Sequence, residues 1–290
     1  MSKAKNQKFE QQQAAKARLA AIAAEERKSK RNQTFIAVGV GGLVVALVVA
    51  TVVAVMGSRW PIPELQEVPA PLAEVARPAT SDVHDIAGVE LTGGIPVGVD
   101  GVAGTVTEGV PVVEVFADHM CSYCQIFENL QPGEGGNGEL EQLRAEGKIT
   151  LVYVPLSIMD RASQGTVFST RAAAAVALIA DRSPEHFSAF NAKLFELQPS
   201  GRGLSDQQMV DLAVELGVPA EIAEEIKEWK FVPFIQATAV ATFERGITTT
   251  PTVLIDGQPA TEGGWQVPGM LTADVAAAQE IRDQAGAGDQ

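Results

Sequence analysis

Cysteine and histidine are scarce in this chain, which has only two cysteines and three histidines in 290 residues. Both cysteines fall within the segment Cys121-Ser122-Tyr123-Cys124, so no disulfide can join distant parts of the chain. A structural zinc site takes four nitrogen or sulfur ligands. His119 is close to the pair, but His84 and His186 lie far from it in the sequence. These absences argue against a disulfide framework and leave the thiol pair itself as the feature to explain.

Basic residues are also few, with 22 Lys and Arg against 36 Asp and Glu and a net charge of −14. They are concentrated in residues 1–33, where nine Lys or Arg face three Asp or Glu and give a charge of +6. The rest of the chain therefore carries −20. Surfaces that bind nucleic acid are basic, so this charge argues against a nucleic-acid partner. Solubility is a sufficient reason for the acidic excess.

Charged residues are absent from residues 34–56, a run of 23 residues rich in Val, Ala and Gly. A helix of this length spans the hydrocarbon core of a bilayer, and the run is longer than the apolar part of a cleavable signal peptide. Because basic flanks stay in the cytoplasm, residues 1–33 are predicted to be a cytoplasmic segment. The sequence therefore predicts a single transmembrane helix with the rest of the chain outside, in an oxidising compartment.

The remaining chain divides by composition. Residues 57–92 are rich in Pro and Ala and predict an extended linker. Residues 93–290 are sufficient for one α/β domain. A helical block at about 163–246 separates two groups of predicted strands. Strands are predicted at 94–98 (at the edge of the sheet), 110–116, 148–155 and 248–255, and a turn is predicted at Asp256-Gly257. Helices are predicted at 125–130, 139–146, 205–217, 231–245 and 270–285, and the helix at 205–217 begins with a capping box. The segment 133–138 is predicted to be a loop between the first two helices.

The cysteine pair is predicted to lie at the junction of a buried strand and a helix. A strand that runs into Cys-x-x-Cys at a helix start is typical of a redox-active dithiol. Only the thiolate attacks a disulfide, and a helix N-terminus stabilises it. Cys121 is therefore expected to be the attacking residue, with a lowered pKa, and Cys124 the resolving residue. Zinc binding and a purely structural disulfide, whose short loop removes little chain entropy, stay open as alternatives.

The chain resembles the DsbA-like branch of the thioredoxin superfamily. The matching residues are Phe116-x-Asp118-x-x-Cys121-x-x-Cys124 and Thr250-Pro251-Thr252-Val253, with about 80 residues of helical insertion between them. The resemblance implies a thioredoxin fold with an inserted α-helical subdomain. It also implies a cis Thr250–Pro251 bond opposite the cysteines, where the backbone of Thr250 pairs with an extended substrate. Without the family resemblance, Pro251 would be interpreted as a trans proline in an edge strand.

The residues around the motif differ from the family pattern. Ser122-Tyr123 contains neither the Pro nor the His common in relatives, which predicts a less oxidising potential. His119 is the one histidine close enough in sequence to add positive charge. Asp118 is expected to hydrogen-bond the loop or to be an ordinary turn acid. Glu114 precedes Cys121 by seven residues and is a candidate proton acceptor for Cys124, although strand alternation turns it to the opposite face.

Two further side chains beside the thiols, Met120 and Tyr123, are candidates for an apolar rim that contacts unfolded substrate, and Tyr123 has packing as its alternative role. The leading functional hypothesis is an extracytoplasmic thiol oxidase that needs no cofactor or metal and acts on exported proteins with free thiols. The resemblance implies a membrane reoxidant of the DsbB-like or VKOR-like kind. A membrane-tethered reductase or isomerase, and a non-catalytic interaction module or chaperone, are the alternatives.

Overall fold

The structure is a computed structural model that describes residues 71–81, 85–86, 89–90, 92–197 and 201–288. The predicted cytoplasmic segment 1–33, the transmembrane helix 34–56 and most of the linker 57–92 lie outside the described residues. Within the described ranges, no helix has the length and apolar character needed to cross a membrane.

A five-stranded mixed sheet forms the centre of the domain. Its strand order is β3-β5-β4-β6-β7, and β4 and β5 are parallel while the other neighbours are antiparallel. A separate two-stranded hairpin precedes it. The strands are β1 (Asp85–Ile86), β2 (Val89–Glu90), β3 (Ile95–Val97), β4 (Val112–Ala117), β5 (Thr150–Pro155), β6 (Thr252–Ile255) and β7 (Gln258–Pro259).

Some of the described helices lie between or after the strands of the sheet, and the others form a block inserted between β5 and β6. They are α1 (Ser122–Asn129), α2 (Gly136–Ala145), α3 (Phe168–Arg182), α4 (Phe187–Glu196), α5 (Asp206–Glu215), α6 (Ala220–Glu224), α7 (Val232–Glu244) and α8 (Met270–Gly288). The predicted helical insertion therefore contains α3 to α7. This arrangement is a mixed α/β, thioredoxin-like fold, as the sequence predicts.

The two faces of strand β4 pack into different hydrophobic clusters, and the cysteines belong to only one of them. Val113 and Val115 belong to the larger core, which also contains Cys124. Val112 and Phe116, on the opposite face, belong to a smaller cluster. Successive strand residues point to opposite faces, so the face that contacts the dithiol helix is the one that carries Val113 and Val115.

Several local predictions are confirmed by the structure. The strand at 94–98 is β3, and it lies at one edge of the sheet. Ser205 and Gln208 form the expected capping box. The turn between β6 and β7 consists of Asp256 and Gly257, both at positive φ, which is the conformation that an Asp-Gly hairpin turn adopts.

Two predictions are corrected. Helix α2 begins at Gly136, inside the segment 133–138 that the sequence analysis assigned to a loop. A Cβ atom on Gly138 would collide with the carbonyl oxygen of Leu130, so the glycine is required for close packing of α2 on the end of α1. Leu197 continues the helical spacing of Phe187, Phe190, Leu194 and Phe195, which predicts that it is part of the core. It is instead 43 % exposed, because α4 ends at Glu196.

Candidate active site

The two cysteines lie where β4 leads into α1. Cys121 is the N-cap residue of α1, and its backbone N–H donates to the carbonyl oxygen of Asp118 at 2.9 Å, which closes the turn after the strand. The residue is 7 % exposed, whereas Cys124, one turn further along the helix, is fully buried. Both residues are free thiols. Of the two sulfurs, the sulfur of Cys121 is therefore the one that a second molecule can reach.

The electrostatics of the pair separate the roles of the two sulfurs. A hydrogen bond from the Cys124 thiol is the main reason why the pKa of Cys121 falls to about 5, and hydrogen bonds from Thr250 and from the backbone of α1 add to it against the effect of burial. Burial, together with the neighbouring Cys121 sulfur, raises the pKa of Cys124 far above its ordinary value. At neutral pH, Cys121 is a thiolate and Cys124 holds its proton.

This difference predicts the pH dependence of alkylation by iodoacetamide. Because the thiolate is the reactive form, the rate at Cys121 should rise as the pH increases through about 5 and stay level to pH 8. Cys124→Ala removes the main hydrogen-bond donor to the Cys121 sulfur, so the inflection in the alkylation rate of this variant should move to higher pH. A wild-type inflection near 9.0, the ordinary value for a thiol, would contradict the assignment.

Asp118 joins the active-site loop to two neighbouring segments. Its buried carboxylate accepts hydrogen bonds from the backbone N–H of Met120 at 2.8 Å, the backbone N–H of Met159 at 2.9 Å and the hydroxyl of Ser169 at 2.7 Å. Burial raises the pKa of Asp118 to about 6 despite these bonds. Asp118 thus holds the turn that presents Cys121, which is the loop contact considered in the sequence analysis.

His119 does not add positive charge to the site. It is buried, stacks on Phe195 with ring centroids 4.3 Å apart, and its Nε2 lies 3.0 Å from Oδ1 of Asn191. Burial lowers the pKa of His119 to about 4, so that the ring is neutral at neutral pH. In the part of the chain that the structure describes, no group of three or more His, Cys, Asp or Glu residues is arranged to hold a metal ion.

Thr250 lies directly beside Cys121, and Pro251 follows it in the chain. The peptide bond between them is cis, as the family resemblance implies, and the carbonyl oxygen of Thr250 is 3.4 Å from Sγ of Cys121. Pro251 also lines a groove of about 370 Å³, together with Trp265 and Leu271. Through Pro251 this groove adjoins Thr250, whose carbonyl oxygen faces Cys121.

The surface on the other side of Cys121 is apolar and exposed. Tyr123 is 60 % exposed and Ile126 is 51 % exposed, although both are in α1. Met120 is half-buried in the turn before the helix. Ser122, which follows Cys121, is the first residue of α1 and is exposed. The rim that the sequence suggested therefore has Tyr123 facing solvent.

The structure does not bring Glu114 to the cysteines. It lies on the face of β4 opposite Val113 and Val115, and its carboxylate forms a bidentate ion pair with Arg245, with both N–O distances 2.9 Å. This position corrects the candidate role of Glu114 as proton acceptor for Cys124, because the sheet separates the two groups.

One acidic residue near the cysteines was missed by the sequence analysis. Glu128 is buried in α1, four residues after Cys124. The spacing of four residues on a helix was the available signal, since it places two side chains on one face.

The matches to known proteins agree with this geometry. A family model described as Thioredoxin matches residues 107–263, which is more than half of the chain and includes the cysteines and Pro251. No match was found among curated protein sequences.

Solved structures give similar results. The reduced form of the disulfide bond oxidoreductase DsbG from Mycobacterium tuberculosis is 30 % identical with a TM-score of 0.50, over 58 % of this chain and 77 % of that one. Oxidised DsbA from the same organism is 27 % identical with a TM-score of 0.53, over 68 % and 100 %. MdbA, a thiol-disulfide oxidoreductase from Actinomyces oris, is 23 % identical with a TM-score of 0.54, over 72 % and 99 %, and supports the fold alone.

Proposed function

The chain belongs to the thioredoxin family and is a protein thiol–disulfide oxidoreductase, and from this premise we propose that it acts outside the cytoplasm as an oxidase that introduces disulfides into exported proteins. A substrate thiolate attacks Cys121 of the oxidised enzyme, and Cys124 leaves. A second substrate thiolate then releases the oxidised substrate and the reduced enzyme. The reaction needs no cofactor, because the two sulfurs carry both electrons.

The observation that carries the oxidase direction is the stabilised thiolate of Cys121. The reduced form of a dithiol is favoured when its attacking sulfur has a low pKa, and the corresponding values are about 7 in thioredoxin and about 3.5 in the strong oxidant DsbA. The pKa of Cys121, lowered to about 5, lies between them. An oxidant somewhat weaker than DsbA fits this value and fits the absence of a His or Pro from Ser122-Tyr123.

The location and the partners follow from the composition of the chain. Residues 34–56 are uncharged and long enough to span a bilayer, and the basic residues 1–33 favour the cytoplasmic side. The domain would then work in an oxidising compartment, tethered by residues 57–92. The chain has no third cysteine to pass electrons on, so turnover requires an external oxidant. The family resemblance implies that in the cell this oxidant is a membrane protein of the DsbB-like or VKOR-like kind.

The reduction potential tests the direction of the reaction. The full chain in mild detergent is equilibrated in glutathione buffers of varied ratio, and the reduced fraction is measured by thiol labelling. We expect a potential between about −200 and −120 mV, above the value of about −270 mV for thioredoxin. Thioredoxin equilibrated in the same buffers serves as the reference.

A potential at or below that of thioredoxin would contradict the oxidase proposal. The chain would then be a membrane-tethered reductase, kept reduced by an electron donor. Such a result would leave the thiol–disulfide chemistry of Cys121 and Cys124 in place, because only the direction of electron flow differs.

A further inference from the structure

A buried serine of the inserted helical block is hydrogen-bonded to the turn that carries Cys121. The hydroxyl of Ser169, the second residue of α3, donates to Oδ1 of Asp118 at 2.7 Å. Both side chains are fully buried. A hydrogen bond to a carboxylate is stronger than one between neutral groups, and the low dielectric of the interior strengthens it further. Ser169 therefore ties α3 firmly to the active-site turn.

The backbone of Asp118 is hydrogen-bonded to both cysteines. Its carbonyl oxygen accepts the N–H of Cys121 at 2.9 Å. Burial is the main reason why the pKa of Cys124 is raised, and a hydrogen bond from the backbone of Asp118 acts against that effect. Because the two sulfurs must meet in order to form their bond, a displacement of Asp118 changes the geometry of disulfide exchange.

The carboxylate of Asp118 depends on its hydrogen-bond donors to stay ionised. Burial raises its pKa to about 6, and the hydrogen bonds from Met120, Ser169 and Met159 act against this rise. An ionised carboxyl group is an acceptor only, which suits three donors, whereas a protonated one carries a donor of its own. Loss of one donor moves the pKa of Asp118 further upward, so that the group starts to take up a proton at neutral pH.

The charged groups on the neighbouring elements do not replace these donors. Asp160, in the segment after β5, is a further cause of the raised pKa of Asp118. The thiolate of Cys121, at the start of α1, is also negative. Arg171 of α3 is paired with Asp206 at 2.5 Å. The ionised form of Asp118 is therefore maintained by hydrogen bonds, and Ser169 supplies one of them from a side chain.

We propose that Ser169 is a positioning residue for disulfide exchange, because it holds Asp118 ionised and in place and so fixes the turn that carries Cys121. It acts through Asp118 and not on a sulfur atom. The inserted helical block thereby forms part of the frame of the reaction site. The inference rests on the exchange between Cys121 and Cys124, whichever direction the electrons take.

A two-phase reaction measures the positioning of the two sulfurs. The reduced full chain is mixed with the chromogenic disulfide dithiobis-nitrobenzoate in a stopped-flow instrument. Cys121 attacks the reagent and releases one aromatic thiolate. Cys124 then loses its proton to solvent, attacks Sγ of Cys121 and expels the second aromatic thiolate. We expect Ser169→Ala to slow this second phase about tenfold at pH 7, which is less than the roughly 100-fold that a displacement of about 1 Å can cause.

The pH dependence separates this role from a general loss of stability. The ratio of the wild-type rate to the Ser169→Ala rate removes the pH dependence that both proteins share, including the ionisation of Cys124. This ratio should fall from about ten at pH 7 to about two at pH 9, where Asp118 is ionised even without Ser169. Ser169→Thr keeps the hydroxyl and should recover most of the wild-type rate at pH 7. A ratio near one at every pH, or an equally large ratio at pH 7 and pH 9, would overturn the proposal.

Thr170→Val is the matched control. Thr170 is the next residue of α3, is buried, and donates its hydroxyl to the carboxylate of Asp160 at 2.6 Å. The variant therefore loses a hydrogen bond of the same kind from the same helical turn and keeps every donor to Asp118. Its second phase should stay within about twofold of the wild-type rate at every pH.

Two other outcomes have different meanings. Equal slowing in Ser169→Ala and Thr170→Val would contradict the positioning role, because the effect would then come from the packing of α3. A wild-type chain with no first phase would instead contradict the disulfide chemistry of Cys121. The failure of this inference and the failure of the proposed function are therefore distinguishable.

Discussion

Replacement of Cys121 by serine is expected to lower the rate of disulfide transfer by at least about 10³-fold, the scale of effect seen when a covalent nucleophile is removed. Cys121 holds the thiolate that a second molecule can reach, and a serine hydroxyl is not ionised near neutral pH. The assay follows the loss of thiols from a reduced, unfolded protein substrate, with glutathione disulfide as the final oxidant. Both the full-length variant and the wild type are measured under the same conditions.

Cys124→Ser is the matched control because it makes the same atomic change one helical turn away. This variant keeps the nucleophile but lacks the resolving sulfur, so it should accumulate a mixed disulfide between Cys121 and the substrate. The adduct is detected on a non-reducing gel and disappears on reduction. Full function in Cys121→Ser, with no adduct in Cys124→Ser, would favour a non-catalytic interaction module.

The parts of the fold that were predictable from sequence are those fixed by local patterns. Strand β4 is a run of apolar residues, the helix α5 begins with its own capping box at Ser205, and the turn at Asp256-Gly257 carries its own signal. The start of α2 was misassigned because its glycines serve a tertiary contact. Gly138 was interpreted as a loop residue, and the close approach of the backbone of Leu130 and Gln131 explains why a glycine is needed there.

The site was predictable in the same uneven way. Cys121 and Cys124 are separated by only two residues and follow a strand, so the sequence itself indicates their chemistry. The burial of Glu128 depends on Asn137 and on Tyr153, which come from other elements. The partner of Glu114 is separated from it by 131 residues, and one sequence has no pattern that pairs them. Contacts between distant elements were therefore the part that required the structure.

Loss of one partner from the ion pair between Glu114 and Arg245 should strongly destabilise the fold. Glu114 is fully buried, and Arg245 donates to both of its oxygens and to the hydroxyl of Thr92 at 2.6 Å. Removal of one partner of a buried pair leaves a buried charge without compensation and costs about 3–5 kcal/mol. We expect Arg245→Met to lower the free energy of unfolding by about 3 kcal/mol, measured from the urea midpoint of the full chain.

Two variants show whether the loss comes from the buried charge. Because apolar residues often replace a buried ion pair at little cost, the double variant Glu114→Met with Arg245→Met should recover most of the stability and lie within about 1 kcal/mol of the wild type. Arg182→Met breaks a more exposed pair with Glu225, and it should cost less than about 1 kcal/mol.

Equal losses of stability in Arg245→Met and in the double variant would mean that Arg245 acts through packing on Phe116. The ring centroid of Phe116 is 5.4 Å from the guanidinium carbon of Arg245. Because the sheet lies between Glu114 and Cys124, the double variant should also keep the wild-type rate of disulfide transfer per folded molecule.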